Sequence, residues 1–207
     1  VAVADNLVVN FSEDIQKGSG DIVIKKVSDN SVVETIQVTA TNITVSGSQL
    51  TINPGADLAQ STDYYVEIAN GAIEDLAGND YPGISGNSTW NFQTADTTAP
   101  TANTFTPADN ATGVAVADNL VVNFSEDIQK GSGDIVIKKV SDNSVVETIQ
   151  VTATNITVSG SQLTINPGAD LAQSTDYYVE IANGAIEDLA GNDYPGISGN
   201  STWNFQT

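Results

Sequence analysis

The chain has 207 residues, of which 26 are Asp or Glu and six are Lys, with no Arg or His, so its formal net charge is −20. That balance excludes nucleic acid and anionic membrane surfaces as partners, because both are met by a basic face. Hydrophobic residues make up 40% of the chain, too many for a disordered acidic tail, yet no run reaches the roughly 18–20 apolar residues of a membrane span.

Cys and Met are absent as well. Disulfide staples and the usual zinc and copper ligands are therefore missing, whereas oxygen ligands suited to calcium or magnesium abound.

One unit is written twice. Residues 1–94 recur unchanged as residues 114–207, joined by "ADTTAPTANTFTPADNATG" over 95–113. The repeat sets two domains, 1–94 and 95–207, before any local reading. The first copy lacks its own connecting segment, so the chain is expected to begin inside a domain.

Within the unit, strands are predicted at "NLVVNF" (6–11), "DIVIKKV" (21–27), "VVETIQV" (32–38), "NITV" (42–45), "QLTINP" (49–54), "DYYVEIA" (63–69) and "TWNFQT" (89–94). All are rich in β-branched and aromatic residues and bounded by Gly, Pro, Asn and Asp clusters. "SEDIQ" and "GAIEDLAG" are the only faintly helical stretches. About seven strands at this spacing predict an all-β fold: two tandem Greek-key sandwiches of the disulfide-free, fibronectin-like immunoglobulin type in an extended array. Phe11, Tyr65, Trp90 and Phe92 are assigned to the core or its margin.

Strand parity then places the loops. With "TFTP…VAVA" as the first pass, and "VVETIQVTATNITV" as one strand that jogs between sheets at "TATN", both acidic loops fall at the N-terminal pole. The incoming linker arrives at the same pole. The first set is Glu13, Asp14, Asp21, Glu74, Asp75, Asn79 and Asp80. The second is Glu126, Asp127, Asp134, Glu187, Asp188, Asn192 and Asp193, with linker Asp96, four residues before Pro100, expected beside it.

Clustered carboxylates repel one another. A hard cation reverses the sign: calcium takes six to eight oxygens from carboxylates, Asn side chains and turn carbonyls. "EDLAGND" offers three acids, an Asn and a Gly in seven residues, without EF-hand spacing. These residues are the candidate metal ligands, with Ca2+ as the expected ion. The competing reading is a solvated acidic loop. Asp29, Glu34, Asp57 and Asp63 are assigned to turn caps or solvent.

"TAPTANTFTPADNATGVAVADNLVVNFSEDIQKGSGDIVI", with "LTINPGADLAQSTDYYVEI" and "AIEDLAGND", resembles the bacterial Ig-like domains of surface-layer proteins. It is most similar to the extender repeats of giant RTX adhesins of marine bacteria, ice-binding ones among them. The resemblance covers the whole repeat. It implies calcium-stabilised sandwiches chained with identical neighbours, monomeric, at the bacterial cell surface, projecting a distal binding domain.

Three functions from different classes remain in view. Repetition without variation favours a structural spacer. A carbohydrate- or partner-binding sandwich is the alternative, on the alternating Thr of "TATNIT". An enzyme would need a carboxylate pair such as Glu13 and Glu74, with no His, Cys or Arg to assist, and the chain is read as non-enzymatic.

Overall fold

The computed structural model describes all residues 1–207 and is entirely β. The chain divides into two compact units, Val1–Asp96 and Thr97–Thr207.

The first unit carries β1 (Leu7–Asn10), β2 (Ile15–Lys17), β3 (Asp21–Lys26), β4 (Val32–Gln37), β5 (Ile43–Ser46), β6 (Gln49–Ile52), β7 (Asp63–Ile68), β8 (Ile73–Asp75) and β9 (Asn91–Gln93). One sheet has the order β1-β6-β5, the other β4-β3-β7-β9, and β2 pairs with β8. Alternation along the strands builds the core between the sheets. Ile22 and Ile24 of β3, Leu50 and Ile52 of β6, and Val66 of β7 are fully enclosed. Burying such a side chain contributes about 1.5–3 kcal/mol.

In β7 the neighbours Tyr64 and Tyr65 are both buried although they face opposite ways. Tyr64 lies in the core and its hydroxyl accepts the Ala59 N–H. Tyr65 is covered from outside by Lys25, whose ammonium sits 5.9 Å from the ring centroid, and its hydroxyl donates to Asn30 Oδ1.

The predicted jog between sheets is present. β4 pairs with β3 in one sheet and β5 with β6 in the other, with the crossing at Val38–Asn42. The turn caps are present too. Asp29 accepts the Ser31 N–H, and both Glu34 oxygens accept the Gly55 N–H.

The two stretches read as faintly helical are strands instead. "SEDIQ" contributes β2 and "GAIEDLAG" contributes β8, in register Ile15↔Asp75, Gln16↔Glu74 and Lys17↔Ile73. Gly18, Gly20 and Gly71 interrupt both runs before a helical turn can propagate. Pairing satisfies the backbone while Ile15 and Ile73 enter the core.

The second unit repeats this plan with one addition. Its strands are β10 (Ala102–Thr106), β11 (Leu120–Phe124), β12 (Ile128–Lys130), β13 (Asp134–Lys139), β14 (Val145–Gln150), β15 (Ile156–Ser159), β16 (Gln162–Ile165), β17 (Asp176–Ile181), β18 (Ile186–Asp188) and β19 (Asn204–Gln206). The sheets are β10-β11-β16-β15 and β14-β13-β17-β19, with β12 on β18.

β10 is the addition, and the segment that continues from it reaches the other sheet. It pairs with β11, in register Phe105↔Val122 and Thr106↔Val121. After the cis Thr106–Pro107 bond, the Asn110 N–H donates to Asn204 O at 2.7 Å and the Gln206 N–H donates to Ala111 O at 2.8 Å. Phe105 stacks on Trp203 with centroids 4.9 Å apart, and the indole N–H donates to Pro107 O at 2.9 Å.

One ion pair recurs. Lys25 reaches Glu67 and Lys138 reaches Glu180, each at 2.6 Å. The hydrogen bond from Lys25, then that from the Gly86 N–H, holds the Glu67 carboxyl below the usual glutamate range. A depressed folded-state pKa contributes stability above the unfolded value, and that stability is lost as pH falls through the folded value. Glu67→Gln is therefore expected to lower the urea midpoint at pH 7, and the gap to the unsubstituted chain should close as pH is taken below the ordinary glutamate range. A gap that is constant with pH would mean the charge on Glu67 is not what stabilises.

Candidate metal centre

β2 on β8, and β12 on β18, bring the two acidic loops of each unit together. In the second unit the entering chain arrives at the same place, because the Ser125 N–H donates to Thr101 O and the Thr101 N–H donates to the Ser125 hydroxyl.

The best-built carboxylate is Asp188, 1% exposed. It ends β18 and starts the turn that follows. Its Oδ1 accepts the N–H groups of Ala190 and Asn192, and its Oδ2 accepts the Asn192 side-chain N–H at 2.7 Å. A carboxylate has about four lone-pair sites. Three are used by the loop, which leaves one on Oδ2. One oxygen each from Asp96, Glu126 and Asp188 lie within 4.8 Å of one another. That spacing is within reach of a single ion with bonds of about 2.3–2.6 Å.

Asp75 has the same loop geometry in the first unit. It accepts the N–H groups of Ala77 and Asn79, and the Asn79 side-chain N–H at 2.6 Å. The Asn79 side chain, then its backbone N–H, holds the Asp75 carboxyl below the usual aspartate range. Here the carboxylate is only half-buried and Glu13 is exposed. Both line an open cleft of about 270 Å³ with Phe11, Ser12, Asn79 and Tyr81.

The remaining predicted ligands go elsewhere. Strand alternation turns Glu74 away from Asp75. Glu74 Oε2 accepts from the Gln16 side chain at 3.3 Å, and Oε1 lies 2.8 Å from where a Cβ on Gly18 would sit. Glu187 takes the matching place over Gly131. The carboxylates of Asp80 and Asp193 lie against Gly71 and Gly184, where a side chain would crowd them. Asp14 and Asp127 approach Gly47 and Gly160 in the hairpin turns that follow β5 and β15. Asp21 and Asp134 line grooves of about 500 and 590 Å³, each with a Glu, an Asn and a Pro.

Asn79 and Asn192 also have a task the sequence did not declare: each donates its side-chain N–H to the preceding Asp. The signal is the D-x-x-x-N spacing, which suits an Asx-type turn.

A search of curated proteins gives no significant match. The sequence model of the bacterial Ig-like domain matches residues 1–94 and again residues 96–207, so that Asp96 opens the second match. With a match over nearly the whole chain and an all-β sandwich in each unit, the chain belongs to the bacterial Ig-like domain family and consists of two copies of that domain.

Proposed function

We propose that the chain is a calcium-stabilised structural spacer of a large bacterial surface adhesin of the RTX type. The observation that carries this reading is the meeting of Asp96, Glu126 and the buried Asp188 within 4.8 Å. Three carboxylates at that spacing in a chain of net charge −20 are costly without a cation.

Four of the chain's six lysines have other partners. Lys25 and Lys138 pair with Glu67 and Glu180, and Lys17 and Lys130 donate to the carbonyls of Ala40 and Ala153. Asp96, Glu126 and Asp188 would hold the ion, with turn carbonyls and water completing its shell. Calcium fits better than magnesium, because loop carboxylates suit its larger and looser coordination, whereas magnesium demands near-ideal octahedral geometry.

The spacer assignment rests on identity between copies. Two ligand-binding modules gain from divergence, whereas two length-adding modules need none. The surface location follows the family, and the adhesin context follows the resemblance of the repeat.

Calorimetric titration of the chain tests the ion. Saturable calcium binding is expected, with magnesium at least tenfold weaker. Glu126→Gln is expected to weaken calcium by about tenfold or more, since one charged ligand is lost. Absence of any saturable heat or competition would remove the calcium reading and leave the acidic loops as solvated surface.

A further inference from the structure

The dipeptide Asn-Gly occurs once in each copy, at Asn70–Gly71 and Asn183–Gly184, shortly past the ends of β7 and β17. In an open chain this pair is chemically unstable. With no side chain on the Gly, its backbone nitrogen can reach the carbonyl carbon of the Asn side chain. The nitrogen gives its proton to solvent and attacks Cγ, the side-chain amide leaves as ammonia, and a five-membered succinimide remains. Water then opens the ring. Cleavage of the Cγ–N bond leaves aspartate. Cleavage at the main-chain carbonyl leaves isoaspartate, whose backbone runs through Cγ and is one methylene longer.

Both pairs are held where that ring cannot close. The Ala72 N–H donates to Ala69 O at 3.1 Å, Gly71 has a φ of 73° and Asn70 a negative φ, which together make a type II turn. Ring closure requires Cβ of Asn70 to eclipse the Gly71 nitrogen about the Cα–C bond. The ψ of about +120° that such a turn sets at its first central residue lies about 120° of rotation from that arrangement. The nitrogen is also engaged: its N–H donates to Tyr81 O at 3.0 Å, while Gly71 O accepts the Ser19 N–H at 2.8 Å. In the second unit the Ala185 N–H donates to Ala182 O, the Gly184 N–H to Tyr194 O and the Ser132 N–H to Gly184 O. Asn70 and Asn183 are nonetheless exposed, and they line the same grooves as Asp21 and Asp134. Water has access to the side chain; only the backbone is withheld.

We propose that Asn70 and Asn183 are covalent modification sites gated by the fold. The closed turn keeps each as Asn, and its opening releases the residue to aspartate and isoaspartate. The isoaspartate product makes the opening permanent. Gly18 packs so closely on the turn that a Cβ there would run into Gly71 O, and Gly131 stands in the same way against Gly184 O. A longer backbone at residue 70 cannot keep that contact together with both hydrogen bonds of Gly71. Each unit thereby carries a chemical record of having opened. The inference stands without calcium and applies to both copies.

The test incubates the 207-residue chain in one mildly alkaline buffer, native and in guanidinium chloride concentrated enough to abolish its far-UV dichroism. Cleavage after Lys separates the copies, with Asn70 in residues 27–130 and Asn183 in residues 140–207. Fragment masses read the replacement of NH2 by OH, and isoaspartate is read from its own backbone fragments. Conversion at both sites should be at least tenfold faster in the denatured chain. Slow chemistry on a turn that recloses quickly follows the population of the open form. Amide exchange at Gly71 and Gly184 in the native chain should therefore be slowed by tenfold or more as well. After the denaturant is removed, chains carrying isoaspartate should melt below the unmodified chain, and an Asn70→Asp chain, with its ordinary backbone, should melt closer to it. The rate comparison needs no substitution and stands if the Asn70→Asp chain fails to fold. Equal conversion rates in the native and denatured chains would overturn the gate, and no conversion in the denatured chain would overturn the sites. Isoaspartate chains that regain the parent melting curve would overturn the permanence of the opening.

Discussion

Chelation of calcium is expected to lower the melting temperature of the chain by about ten degrees or more relative to millimolar calcium. An ion that binds only the folded state adds RT ln(1 + [L]/Kd), about 2.7 kcal/mol per site at a hundredfold excess over Kd. For a domain of roughly 100 residues, each kcal/mol moves the midpoint by about 4–8 °C. On the proposed reading the carboxylates that would hold the ion are those that otherwise repel, so removing it would both withdraw the binding energy and restore the repulsion.

Salt and ion effects separate cleanly. Screening at high sodium chloride relieves the repulsion of exposed charges, so it should recover part of the loss in chelator without reproducing the calcium value. Magnesium at the same concentration should recover less than calcium. Identical melting curves in calcium and in chelator would end the stabilisation claim.

The second large effect separates two identical residues. Trp203→Ala is expected to destabilise the second unit by about 3–5 kcal/mol, the range for deleting an enclosed aromatic. The ring fills the core, stacks on Phe105 and donates to Pro107 O. Its removal leaves a cavity and a carbonyl that has lost its donor. Trp90→Ala should destabilise the first unit by only about 1–2 kcal/mol, because the half-buried ring already faces solvent on the side that Phe105 covers in the second unit. Urea unfolding followed by far-UV circular dichroism reads both. Equal losses from the two substitutions would show that the connecting strand adds nothing to the packing of the Trp.

This contrast also marks where sequence reading stops. Identical residues 90 and 203 sit in different environments because of the segment at 101–113, and no local pattern distinguishes them. The strands were legible wherever β-branched residues alternate and turn residues close the run, as in β3 and β6. The crossing after β4 was legible because strand parity demands it. β2 and β8 were not. Three-residue strands carry too few residues for a period, and the Glu-Asp pair in β8 is as compatible with a helical turn as with a strand.

Among the acids, convergence of the loops followed from topology, but the side chosen by each carboxylate did not. Glu187 and Asp188 are neighbours in sequence and face opposite ways in β18, so only one joins Asp96 and Glu126. The Asn192 side chain reads as a ligand in composition; that its N–H also donates to Asp188 is not visible there.

The most direct measurement is a crystal structure of the chain grown with calcium, with anomalous scattering collected at long wavelength. The account predicts an anomalous peak bonded to Asp188 Oδ2 and to carboxylate oxygens of Glu126 and Asp96, at distances of about 2.3–2.6 Å. Those three oxygens surrounded by water or sodium, with no anomalous peak at millimolar calcium, would contradict it.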